Sequence, residues 1–187
     1  MERKHKAIFL DRDGVINKEV NYLHRVEDFT FTHNCISAIK MLREAGYKIL
    51  VVTNQAGIGR GYYTEGDLNI LMSWLKSELK KNDADIDDYA FCPHHPTEAF
   101  GIYKKCCKCR KPEPGMLISL IQKHNIDVGS SIMVGDKLSD LVAGEAAGIP
   151  KNILVKTGHK FDENDVPCRW DIFETLYSFV LHLTKEA

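Results

Sequence analysis

Residues 7–14 read Ala-Ile-Phe-Leu-Asp-Arg-Asp-Gly, a short apolar strand that delivers two carboxylates, one residue apart, onto a turn opened by glycine. That is how an aspartate that attacks phosphorus is presented. In extended backbone Asp11 and Asp13 share a face, and Arg12 between them is expected to point away. Two carboxylates so placed raise each other's proton affinity unless a cation intervenes. The pair therefore invites Mg²⁺, which takes one or two carboxylates together with substrate phosphate oxygens. Read alone, the same string is also an ordinary strand-to-turn junction, where Asp and Gly favour the turn, so the rest of the chain has to decide.

Three further segments carry matching polar groups. Ile49-Leu50-Val51-Val52 is a continuous apolar run, read as a buried parallel strand, and it ends in Thr53-Asn54-Gln55. Ser131-Ile132-Met133-Val134 runs into Gly135-Asp136-Lys137, with Asp140 one helical turn further on. Arg110-Lys111-Pro112 supplies fixed positive charge just before a helical pattern. Open α/β sheets bind ligands outside the carboxyl ends of their strands, where such groups would converge.

Strand and helix alternate throughout, as a parallel sheet requires. Strand 7–11 is followed by a helix near 34–45 that stops at Gly46, strand 48–53, and a Gly-rich loop over 57–61. Thr64 is the expected cap of the next helix, whose Leu68, Leu71, Met72, Leu75 and Leu79 form one apolar stripe. Strand 88–91, helix 115–124, strand 131–135, helix 138–147 ending at Gly148, and strand 152–156 follow, and 170–185 is expected to add an edge strand and a last helix. The fold class is therefore α/β, a Rossmann-like parallel sheet with helices on both faces. Without repeats or a linker rich in Pro, Gly or Ser, residues 1–187 are expected to form a single domain. Selectivity then falls to the loops 17–24, 54–63 and 92–110.

With 44% hydrophobic residues and a formal net charge of −1, the chain has no broad basic face of the kind that binds nucleic acid. The basic opening, residues 1–6, reads as a solvated terminus rather than an address, and no segment approaches the length of a membrane span. The expectation is a cytoplasmic monomer with a small-molecule partner.

Four of the six cysteines fall between 92 and 109, as Cys92-Pro-His94-His95 and Cys106-Cys107-Lys-Cys109. Such density beside histidine favours a metal over disulfides, and zinc suits a thiolate and imidazole set. A stretch this long, poor in apolar residues, needs something to hold it. Residue type alone leaves open Cys106 or Cys107, and His94 or His95. Cys35 and Cys168 read as free thiols, and His24 and His159 as surface or hydrogen-bonded residues.

These motifs, in this order, resemble those of the haloacid dehalogenase superfamily phosphatases: Asp11-Arg-Asp13-Gly-Val15, then Thr53, Lys111, and Gly135-Asp136-Lys137-Leu-Ser-Asp140. Val15 stands where threonine is commoner in that superfamily. The resemblance implies the corresponding fold, here without a large cap domain, and assigns roles. Asp11 would attack phosphorus to give an aspartyl-phosphate, and Asp13 would protonate the leaving alkoxide and then activate water. Mg²⁺ would lie between Asp11, the backbone carbonyl of Asp13, and Asp136, with Asp140 orienting a water on it. Thr53 and Lys111 would steady the phosphoryl oxygens. Asn54, Arg110 and Lys137 would bind substrate, although Lys137 reads equally well as a solvated lysine at a helix start.

The superfamily branch most resembled holds zinc with a Cys-x-His pair and a Cys-x-Cys pair, which implies Cys92, His94, Cys107 and Cys109. That branch contains the heptose bisphosphate phosphatases and the histidinol-phosphate phosphatase domains. The first implies a sugar bisphosphate substrate, with Arg110 holding a phosphate that is not cleaved. The second implies a recess for an ammonium and an imidazole. Ala56 departs from the serine expected in many members. A non-catalytic zinc-stabilised binding module is the alternative from another class.

Overall fold

The computed structural model describes residues 4–185. Six parallel strands lie in the order β3-β2-β1-β4-β5-β6, with β1 Ala7–Leu10, β2 Lys48–Asn54, β3 Asp88–Cys92, β4 Ile132–Gly135, β5 Lys151–Val155 and β6 Asp171–Phe173. Chain order runs outward in both directions from β1, so β1 and β4 flank the point where the winding reverses. Loops leaving neighbouring strands at such a point diverge to opposite faces and open a crevice at the carboxyl ends.

All four β1 side chains are fully buried, and they alternate between two cores. Ile8 and Leu10 join one with α1 (Cys35–Glu44), α3 (Glu65–Lys80) and α6 (Leu176–Lys185). Ala7 and Phe9 join the other with α4 (Gly115–Lys123), while Ala143 of α5 (Leu138–Ala146) packs there as well. Helices therefore cover both faces, which is why the strands read as unbroken apolar runs. In α3 the five stripe residues named above are buried, each burial contributing roughly 2 kcal/mol. Its start is set by a reciprocal cap: Asp67 N donates to Thr64 Oγ1 (3.1 Å) while Thr64 N donates to Asp67 Oδ2 (2.8 Å).

Two expectations need correcting. The Gly-rich stretch expected to be a loop begins with a single helical turn, α2 (Ala56–Gly59), held because Gln55 N donates to Cys92 O (2.8 Å) and Ile58 is buried. The basic opening is not wholly solvated. Residues 1–3 lie outside the described residues, but His5 N donates to Asn125 O (3.1 Å) and Lys6 Nζ sits 4.1 Å from the Tyr47 ring centre. Among the described residues, no helix is long and apolar enough to cross a membrane.

Candidate active site

The crevice at the carboxyl ends is a cavity of about 460 Å³, lined among others by Asp11, Asp13, Thr53, Asn54, Arg110, Lys111, Lys137 and Asp140. Asp11 and Asp13 follow β1, Thr53 and Asn54 end β2, Lys137 and Asp140 open α5, and Arg110 and Lys111 come from the loop between β3 and α4. Asp11 N donates to Val134 O (3.0 Å), so the β1–β4 ladder runs right up to the first carboxylate.

Lys111 is the electrostatic centre. Its buried Nζ donates to Asp140 Oδ1 (2.8 Å), Asp11 Oδ1 (3.0 Å) and the carbonyl of Val52 (2.7 Å). Burial alone would push this ammonium down, but Asp11 and Asp140 together hold it above its ordinary value. The Asn54 side chain clamps the Lys111 backbone from both sides, accepting from its N–H and donating to its carbonyl, each at 3.1 Å. Asn54, expected to bind substrate, is thus engaged in placing the lysine.

Asp11 accepts from Lys111 and from the Arg12 N–H (2.8 Å) through Oδ1, and neither bond involves Oδ2. Burial pushes its carboxyl up to about 6, against the pull of Lys111 and with help from Asp140 and Asp13.

Arg12 does not point away. It is fully buried, and its guanidinium turns back onto Asp13, Nη2 lying 2.8 Å from Oδ1 and 2.9 Å from Oδ2 while also donating to Leu23 O (2.9 Å). The alternation argument fails because extended backbone stops at the end of β1. Arg12 O then accepts from Ile16 N and Asn17 N, and Gly14 takes φ +86°, so the chain folds back on itself. Asp13 also accepts from Asn17 Nδ2 (3.0 Å) and Gln55 Nε2 (3.0 Å). The same Gln55 amide donates to Thr53 Oγ1 (2.8 Å), and its carbonyl accepts from Tyr63 Oη (2.5 Å). Gln55 therefore ties two expected catalytic residues together.

Asp136 follows β4 and is buried; burial first, and then Asp11, raise its carboxyl above the usual range. Its Oδ2 is taken by His159, whereas Oδ1 is buried and has no hydrogen-bond partner among the described residues. One oxygen each from Asp11, Asp136 and Asp140 fall within 4.8 Å of one another. A buried, orphaned oxygen on an aspartate clustered with two other carboxylates is the environment a hard divalent cation satisfies. Gly14 is obligatory beside it, since a Cβ there would lie 2.5 Å from Asp136 Oδ2.

At the rim, Arg110 Nη1 donates to the carbonyl of His94 (3.2 Å), and Lys137 is exposed at the start of α5, where Asp140 Oδ2 accepts from its N–H (3.0 Å). Arg60 also lines the cavity, with Nη1 2.5 Å from Tyr22 Oη and its other arm paired to Glu98. Arg12, Gln55, Arg60 and His159 were given no role in the site from sequence, although His159 is the hydrogen-bonded residue it was read as. For Gln55 alone a signal existed, its position two residues beyond Thr53 on a strand end.

In the 92–109 loop the structure brings together Cys92, His94, Cys107 and Cys109. Cys109 Sγ lies 3.1 Å from Cys92 Sγ and 3.3 Å from Cys107 Sγ, with Cys92 to Cys107 at 3.5 Å. His94 Nδ1 is 3.6 Å from Cys92 Sγ and 3.4 Å from Cys109 Sγ. Thiolates around one zinc at about 2.3 Å stand about 3.8 Å apart, so the donors already form a slightly contracted tetrahedron. Cys106 is exposed, and His95 turns to accept from Glu98 N (3.0 Å). Burial raises the Cys92 and Cys109 thiols, while for Cys107 burial is outweighed by hydrogen bonds from Cys109 and the Arg110 N–H, which hold it low.

Residues 108–171 match the model of the HAD-hydrolase-like family. The chain is 54% identical to D-glycero-alpha-D-manno-heptose-1,7-bisphosphate 7-phosphatase of Photorhabdus laumondii subsp. laumondii, over 86% of this chain and 87% of that one. It is 45% identical to the beta-anomer enzyme of Pasteurella multocida, over 85% and 86% respectively. Among solved structures it superposes with a TM-score of 0.86 and 30% identity on D,D-heptose 1,7-bisphosphate phosphatase from B. bronchiseptica complexed with magnesium and phosphate, covering 97% of this chain and 99% of that one.

Proposed function

Since the chain belongs to the heptose-1,7-bisphosphate 7-phosphatases among the haloacid dehalogenase-like hydrolases, we propose that it removes the 7-phosphate of D-glycero-D-manno-heptose 1,7-bisphosphate and leaves the 1-phosphate in place, a step towards nucleotide-activated heptose. The observation that carries this reading is the buried Lys111 bridging Asp11 and Asp140 in one cavity with Arg110. It supports a nucleophile with its phosphoryl clamp beside a second anion site.

Asp11 Oδ2 attacks phosphorus, and the bond to the sugar oxygen breaks. Lys111 Nζ and Thr53 Oγ1 steady the equatorial oxygens as charge spreads over them. Asp13 gives a proton to the departing oxygen and later takes one from the water that hydrolyses the aspartyl-phosphate. Here Asp13 is bonded wholly as an acceptor, so the acid step needs an oxygen released from Arg12, Asn17 or Gln55. Mg²⁺, held by Asp11, Asp136 and the Asp13 carbonyl, would neutralise phosphate charge. Zinc in the Cys92, His94, Cys107, Cys109 set would fix the loop that carries Arg110. Residues 1–187 act in this reading as one cytoplasmic, monomeric phosphatase domain.

The test is phosphate release with Mg²⁺ from both anomers of the heptose bisphosphate, fructose 1,6-bisphosphate and histidinol phosphate. The expected result is preference for the heptose ester, and a heptose 1-phosphate product. Arg110→Ala should lower kcat/KM for the bisphosphate by about tenfold to a hundredfold, the worth of a charge-assisted contact, with little change for a sugar monophosphate. Equal turnover of histidinol phosphate would overturn the substrate assignment.

A further inference from the structure

The fifth strand tip carries a device that the expected motifs do not include. Beyond β5 the chain passes close to both aspartate-bearing tips: Thr157 Oγ1 donates to the carbonyl of Gly14 (2.5 Å), and a Cβ on Gly158 would sit 2.0 Å from Asp136 Oδ2. Only glycine lets the backbone approach so closely. The next residue then directs two donors at one atom, the His159 N–H at 2.8 Å and Nδ1 at 2.6 Å from Asp136 Oδ2. Glu19 Oε2 stands 3.8 Å from the same ring nitrogen.

Both bonds converge on Oδ2, and among the described residues Oδ1 is left buried and without a partner. A carboxylate held through one oxygen cannot rotate, so its free oxygen has a fixed direction. We propose that His159 is a positioning residue for the divalent cation site: with its N–H and imidazole it fixes Asp136 so that Oδ1 faces the ion. This requires the proton on Nδ1. It rests on the reading of Asp136 as a metal ligand. Partners that orient a ligating carboxylate in this way are typically worth tenfold to a hundredfold in metal affinity.

His159 is half exposed, with 41% of its side chain accessible, so its removal leaves the core intact. The experiment titrates Mn²⁺ into the zinc-loaded full chain, without substrate, and counts free ion by electron paramagnetic resonance. His159→Ala should weaken Mn²⁺ binding about tenfold. His159→Asn, whose amide can donate from the place of Nδ1, should return to within about threefold of the parent. At saturating Mg²⁺ the KM for the heptose bisphosphate should be unchanged in both. Unaltered Mn²⁺ binding in His159→Ala would overturn the proposal, as would an Asn variant as weak as Ala. So would a directly coordinated nitrogen in the spectrum of bound Mn²⁺, because His159 would then be a ligand itself. The Mn²⁺ titrations and the spectrum need no turnover, so the proposal can fail while the phosphatase reading stands, and the reverse.

Discussion

Two polar clusters of this molecule are built on opposite principles. In the crevice, Asp11, Asp140 and Lys111 neutralise one another and lean on three strand tips of a fully packed sheet. In the 92–109 loop, three thiols and an imidazole face one another with only weak mutual hydrogen bonds. Between 93 and 110 only Pro93 and Ala99 are buried, while Phe100 and Ile102 are 74% and 78% exposed. The first cluster is placed by the fold. The second has too little core to place itself, and its geometry makes sense as that of a metal-held loop. The two meet at Arg110, next in sequence to Lys111 and hydrogen-bonded to His94 O.

The comparison breaks most sharply on Asp11, the proposed nucleophile. Asp11→Asn should lower phosphate release by about 10⁴-fold, in the range seen when a covalent catalyst is removed. Zinc content, read by atomic absorption, should stay at that of the parent. A loss of zinc would mean that the two regions are not separately built. A smaller effect is expected from the loop. Cys107→Ser should strip zinc and lower kcat/KM for the bisphosphate by about tenfold, by loosening the segment that holds Arg110, whereas Cys106→Ser should change neither. If Cys106→Ser lost the metal, the ligand set read from the geometry would be wrong.

The same contrast explains what could be read in the sequence. Strand tips were legible because each carries its own apolar run and its own polar end: 7–11, 48–53 and 131–135 match β1, β2 and β4 to within a residue or so. Spacing within the loop was legible as a donor-rich cluster, but the choice of Cys107 over Cys106 depends on which side chain the backbone turns inward, and that is a tertiary fact. Illegible were the contacts that span the chain. Gln55 reaches Asp13 across 42 residues, and His159 reaches Asp136 across 23, with no local pattern to announce either. Arg12 was misread for a different reason, a period-two rule carried two residues past the end of its strand.

The smallest effect is a matter of pH, and it separates a cluster the fold merely tolerates from one it favours. Without a divalent cation, the Asp11 carboxyl is held at about 6 against an ordinary 3.8, chiefly by burial. Between those values the folded chain keeps a proton that the unfolded chain has released. The stability tied to this group is therefore fully present below about pH 4 and is lost as pH rises through about 6. At roughly 1.4 kcal/mol per unit, the loss is at most about 3 kcal/mol. Burial raises Asp136 and Glu19 in the same direction. Metal-free Asp11→Asn should thus melt higher than the parent at pH 7.5, by about 5 °C, and the gap should close as the pH falls towards 4. Adding Mg²⁺ should reverse the order at pH 7.5, because an ion that binds only the folded state stabilises most the protein with its full set of carboxylates. If the parent instead melts higher at every pH without metal, Lys111 already compensates Asp11 in full, and the crevice is stabilised by its charges rather than strained by them.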